Sequence, residues 1–211
     1  MLALHSRIAR KGSDKQKIAN DVARKPALLP QLFEGLQAKS AAVKFGCEKT
    51  LRLLSASHPG LLYPHFDRFT EQLENDNSLL KWGAIATIAN MTRVDSKGKF
   101  ERIFKRYFKC IAGPAMITAA NTIGAGALIA RNKPHLAPRI AAEILRVENG
   151  RYASDECVNI ACGHAIEALG QMVDLLPRRK TALAFVKRQL LNTRPPVRRR
   201  AQTFLKKHAG E

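Results

Sequence analysis

Five stretches of the chain align with one another without gaps, and this internal repeat limits the fold more than any other feature. They are Val43–Leu51, Leu80–Ile88, Ile117–Ala125, Val158–Ile166 and Val197–Leu205. Their first residues are separated by 37, 37, 41 and 39 positions. Within each stretch, apolar or small residues fall at offsets 0, 3, 4, 7 and 8, which is one face of an α-helix. Offset 3 holds Gly46, Gly83, Ala120 and Ala161, and offset 4 holds Cys47, Ala84, Asn121, Cys162 and Ala201. Small side chains there admit a neighbouring helix at close range. The fifth copy departs with Arg200 at offset 3, as expected for a terminal repeat with a polar outer side.

Helix starts agree with this register. Ser40, Asn77 and Asp155 each stand three residues before an anchor and are of the type that caps a helix N-terminus. Gly113-Pro114 and Pro195-Pro196 occupy the same place before the third and fifth copies, and proline suits a first helical turn. A second helix is expected in each unit, over Leu28–Leu36, Leu61–Leu73, Phe100–Ile111, Leu136–Leu145 and Leu183–Leu191. Leu2–Arg10 and Asp14–Arg24 read as helices of an N-terminal cap. No stretch alternates as a strand would. The expected fold is therefore all-α and one domain: a cap over 1–25, then units over 26–58, 59–95, 96–132, 133–176 and 177–211.

These stretches resemble HEAT and armadillo-type repeats. Pro196-Val-Arg-Arg-Arg-Ala-Gln-Thr-Phe-Leu205 is similar to that family's second-helix pattern. Asp155 with Val158, Val43-Lys44 and Leu80-Lys81 match parts of it. The pattern lacks its basic residue at Thr118 and Asn159, and Ser40, Asn77, Pro114 and Arg194 stand where the family often has Asp. The resemblance covers roughly residues 14 to 208. It implies a right-handed α-α superhelix, a solenoid of about five antiparallel helix pairs whose second helices line a concave face. It also implies a scaffold or adaptor, although a fold by itself assigns no function. The column after the anchors reads Lys44, Lys81, Thr118, Asn159, Arg198. It reads as a binding ladder on the concave side or, as the resemblance implies, as a structural position whose basic residue pairs with an Asp of a neighbouring repeat.

Charge is the second constraint. Lys and Arg number 36 against 17 Asp and Glu, a net charge of +19, so the expected partners are polyanions. The surplus is uneven. Residues 26–96 are neutral, 151–176 carry −3, 97–110 carry +5 and 177–211 carry +10. In the segment from Lys97 to Lys109, Phe100, Ile103, Phe104, Tyr107 and Phe108 form an apolar stripe, opposite Lys99, Arg102, Arg106 and Lys109. Near the C-terminus, Arg178, Arg179 and Lys180 start one helix, and Arg194, Arg198, Arg199, Arg200, Lys206 and Lys207 mark the last. These residues, with Lys44 and Lys81, are the candidate partner-binding set. They read as a contact surface for an acidic protein, as phosphate contacts, or as solvated faces. Aromatic residues outside the apolar stripes are few, so nucleic-acid binding would be led by the backbone and weak in sequence preference.

The remaining signals argue against chemistry. Cys47, Cys110, Cys157 and Cys162 form no CxxC pair and read as reduced packing residues. Cys157, Cys162 and His164 lie on divergent faces of one helix, so no metal is expected. Trp82 takes the place of Phe45 in the first copy and reads as packing. Gly124-Ala-Gly126 reads as close helix packing. Ile111–Ala130 is uncharged for 20 residues, but Pro114, Asn121 and three glycines suit a helix buried on all sides better than a membrane span. No secretory signal is evident in Met1–Gly12, and a cytoplasmic location is expected. The sequence thus predicts a non-catalytic scaffold that binds an acidic macromolecule, without a cofactor or small-molecule substrate. A nucleic-acid-binding protein is the alternative. Within it lies a DNA glycosylase for alkylated bases, since some are built on HEAT-like repeats.

Overall fold

The computed structural model describes residues Ala3–His208, and all their regular structure is helical. The chain divides into two compact units, Met1–Glu101 and Arg102–Glu211. The first unit contains α1 (Ala3–Ala9), α2 (Lys15–Arg24), α3 (Leu29–Gly35), α4 (Ala41–Ser57), α5 (Pro59–Leu62), α6 (Phe66–Gln72) and α7 (Ser78–Met91). The division falls within α8 (Lys99–Phe108). The second unit continues with α9 (Met116–Asn132), α10 (Ala137–Leu145), α11 (Asp155–Gly170), α12 (Lys180–Arg188) and α13 (Pro195–His208). Several helices are flanked by 3-10 turns, and Pro26, Pro64 and Pro134 each sit within one.

In the first unit the aligned apolar face is the buried face. Val43, Gly46, Cys47, Thr50 and Leu51 of α4 are buried, and so are Leu80, Gly83, Ala84, Thr87 and Ile88 of α7. The glycines permit close approach. A Cβ on Gly46 would stand 2.3 Å from Ile8 Cγ2, and one on Gly83 would stand 2.2 Å from Glu48 Oε1. Helices α4 and α7 run in the same direction, because Glu48 lies against Gly83 and, further along both, Asn90 Nδ2 donates to Ser55 Oγ at 2.8 Å. Asn77 caps α7 by accepting from the Leu79 and Leu80 amides. Asp14 caps α2 in the same way. Ser40 holds the N-cap position of α4 without a side-chain cap bond.

The second unit corrects the register of one copy. Ile117 is 53% exposed, and Asn121 and Gly124 are exposed as well. The buried face of α9 is Ala119, Thr122, Ile123, Gly126 and Ala127, two residues further on. With Ala119 as its anchor, the intervals from Leu80 through Ala119 and Val158 to Val197 become a constant 39 residues. The same shift explains why α9 is not buried on all sides. Gly126 lies close to Ile140 and Phe108, whereas nothing lies within 4 Å of a Cβ built on Gly124, so only one of the two glycines is a packing position. Ala115 is the N-cap of α9, so Pro114 precedes the helix instead of standing in its first turn, and Ser154, not Asp155, caps α11 by accepting from the Cys157 amide. Thr118 is buried, so Ala120 takes its place in the column after the anchors.

The end of α8 and the 3-10 turn Lys109–Ala112 run antiparallel to α9: Phe108 faces Gly126, and Cys110 Sγ meets Thr122 Oγ1 at 3.0 Å. Helices α11 and α13 run parallel, with Gly163 against Val197 and Gly170 against Phe204. No helix among the described residues is long and apolar enough to cross a membrane.

Candidate functional site

The second unit holds 20 Lys and Arg against seven Asp and Glu. Its acids are largely committed to arginines: Glu143 to Arg146, Glu148 to Arg188, Glu156 to Arg194, Glu167 to Arg200 and Asp174 to Arg179, at 2.6 to 3.2 Å. The guanidinium fork explains the preference, since it matches a carboxylate better than an ammonium does.

On α13 and at the residue just before it, Arg194, the predicted cations therefore divide into two kinds. Arg194 and Arg200 reach back to Glu156 and Glu167 of α11. Arg198 donates to the carbonyls of Asn192 and Thr193 at 2.8 and 2.9 Å, holding the turn that precedes its own helix. Asn192 is buried and links the same region: its amide donates to Asn159 Oδ1 and Gln189 Oε1, and its oxygen accepts from the Arg194 amide. Gln189 passes the network on to Glu148. Asn159 and Arg198, the fourth and fifth members of the post-anchor column, are thus structural. Arg199, Lys206 and Lys207 are exposed and stand in no ion pair among the described residues. They turn outward because Val197, Ala201, Phe204 and His208 take the buried face of α13. Arg199, Arg200, Lys207 and Thr203 border a cleft of about 470 Å³ whose other wall includes Ile166 and Gly170 of α11.

The other candidates are scattered. Lys99 does not share an open face with Arg102 and Arg106. Its ammonium meets Asp67 at 3.0 Å and lies 5.7 and 5.8 Å from the rings of Tyr63 and Phe66. The reason is local, because Asp95 accepts from the Lys99 and Phe100 amides and fixes the start of α8 against that wall. Arg102, Arg106 and Lys109 are exposed, while Phe104, Tyr107 and Phe108 are buried as the apolar stripe requires. Arg178 and Lys180 are exposed and Arg179 is held by Asp174. Lys44 and Lys81 are half-buried on α4 and α7 in the first unit. Three of the candidate residues, Lys44, Lys81 and Lys99, belong to the first unit and the other twelve to the second.

Two cations absent from the predicted set join Lys109. Arg146 and Arg151 border the same cleft, some forty residues away in sequence. Segment-by-segment charge counts hid them, because Arg146 falls in a weakly basic stretch and Arg151 in an acidic one.

Burial suppresses the thiols. Cys47 is pushed up to about 11 and Cys162 up to about 12, by loss of hydration first and, for Cys162, by nearby Glu148 next. Neither is a thiolate at neutral pH. Among the described residues no three His, Cys, Asp or Glu side chains come together as a metal site requires. Compared with protein-family models, with curated proteins and with solved structures, the chain gives no match.

Proposed function

We propose that the protein is a non-catalytic helical-repeat adaptor of HEAT or armadillo type, which binds an acidic macromolecular partner through the exposed cations of its last helix. The observation that carries this reading is the division of charge on α13 and the residue before it. Arg194, Arg198 and Arg200 hold the fold, while Arg199, Lys206 and Lys207 project from it with no acid of the described chain to neutralise them. An unpaired set of like charges on a well-packed helix costs self-repulsion, which an acidic partner relieves. The parallel stacking of α4 on α7 and of α11 on α13, with anchors 37 and 39 residues apart, supports the repeat reading.

The test is affinity capture from native lysate, with and without nuclease. The wild-type chain should retain a distinct acidic protein that survives nuclease, and the triple variant R199E/K206E/K207E should lose it. Arg198 and Arg200 are left intact so that loss of capture is not loss of fold. Retention of nucleic acid alone would replace this reading with the nucleic-acid one. Release of bases from alkylated DNA would replace it with the glycosylase.

A further inference from the structure

We infer that the cleft between the 3-10 turns Lys109–Ala112 and Arg146–Asn149 binds a single dianionic phosphate group. It is an open cleft of about 650 Å³ lined by Lys109, Ala112, Gly113, Pro114, Arg146, Asn149 and Arg151. Three cations from two separated segments thus converge on one space, with the Asn149 side chain as a further hydrogen-bond donor.

The frame that holds them is built rather than incidental. The Arg151 amide donates to the Ala112 carbonyl at 3.2 Å, and the Tyr152 hydroxyl donates to the carbonyl of Ile111. Tyr152 folds back because residue 150 is glycine: a Cβ there would stand 2.3 Å from the tyrosine ring. These bonds do a second thing. The carbonyls at the end of α8 carry negative partial charge and would repel an anion. Cys110, Ile111 and Ala112 already accept from Gly113, Tyr152 and Arg151 respectively. These three carbonyls are therefore occupied.

The charge state favours one dianion over a strand of phosphodiesters. Lys109 and Arg151 stand in no ion pair among the described residues. Arg146 meets Glu143 at 2.6 Å in an exposed pair three residues apart on the chain, a weak contact that a doubly charged ligand displaces. A phosphodiester carries one charge and repeats along its strand, whereas the cations here border a single open cleft. A phosphate monoester or free orthophosphate supplies two charges and several acceptor oxygens at one point. The volume exceeds that of phosphate itself, leaving room for a group attached to it. The site is separate from the exposed face of α13 and does not rest on the adaptor reading.

The test is amide NMR of the full chain, titrated with orthophosphate, with a short phosphoserine peptide, with its unphosphorylated form and with chloride at matched ionic strength. Saturable shifts centred on residues 109–113 and 146–152, seen with both phosphate probes and with neither control, are expected. Tighter binding of the peptide would assign the group to a phosphorylated side chain, and equal binding to free phosphate. K109Q/R151Q should weaken binding at least tenfold while its spectrum stays folded. E143Q should tighten it about twofold by freeing Arg146. R199E/K206E/K207E should leave it unchanged, which separates this site from the adaptor surface. Shifts that chloride reproduces, or that survive in K109Q/R151Q, would overturn the inference. So would stronger competition at this cleft by a single-stranded oligonucleotide than by the phosphopeptide.

Discussion

Glu48 shows how one residue couples packing to pH. Its carboxyl lies against Gly83 of the neighbouring helix, and its side chain is 15% exposed. Burial raises its pKa above the ordinary 4.5, and Arg52 at 3.2 Å only partly opposes this. The folded state then holds this proton more tightly than the unfolded one, so stability falls as pH rises from about 4.5 through the folded value. E48Q should abolish that fall, giving a variant whose advantage in urea midpoint over the wild type grows across this window. Gly83 is a second probe of the same contact. G83A forces its Cβ onto the Glu48 carboxylate, and a loss of about 1–3 kcal/mol is expected by urea unfolding. The small residues at offset 3 were legible in sequence as sites of close approach. That the atom approaching Gly83 belongs to a carboxylate was not, because spacing along one helix says nothing about which side chain of its neighbour arrives there.

At the scale of elements, helix positions were legible and helix rotation was less so. Leucine, valine and isoleucine mark the buried faces of α4 and α7, and the aligned offsets match them. In α9 the contrast fails: the buried face is made of Ala119, Thr122, Gly126 and Ala127 around Ile123, while Ile117 lies outside it. Hydropathy chose the large exposed isoleucine as anchor over the small buried alanine. I117E should therefore change stability by no more than about 0.5 kcal/mol, whereas A119E should unfold the second unit, as followed by thermal circular dichroism. The cap of α11 was misplaced by one residue because Ser154 and Asp155 are both good caps, and only the Ser154 side chain reaches the Cys157 amide. The turn between α12 and α13 depends on a network that periodicity cannot reveal. Replacing the buried Asn192 by Ala removes its links to Asn159, Gln189 and the Arg194 amide, and should cost about 2–3 kcal/mol in chemical denaturation.

At the scale of the molecule, the excess charge was countable from the sequence, but its availability was not. The second unit carries a net +13 and the first +6, because the second has both more cations, 20 against 16, and fewer acids, 7 against 10. Those acids select particular arginines, so the run Arg198, Arg199, Arg200 contains one exposed cation between two that serve the fold. A sequence shows the run as uniform; the helical rotation of about 100° per residue sorts it. Binding through exposed charges should weaken with salt, since a Debye length of about 8 Å at physiological ionic strength shortens to about 3 Å at 1 M. The most direct measurement of the central claim is affinity capture from nuclease-treated native lysate, comparing the wild type with R199E/K206E/K207E. A distinct acidic protein held by the wild type, released by high salt and absent from the variant is the predicted result. The same protein retained equally by the variant would contradict the assignment of the partner surface to α13.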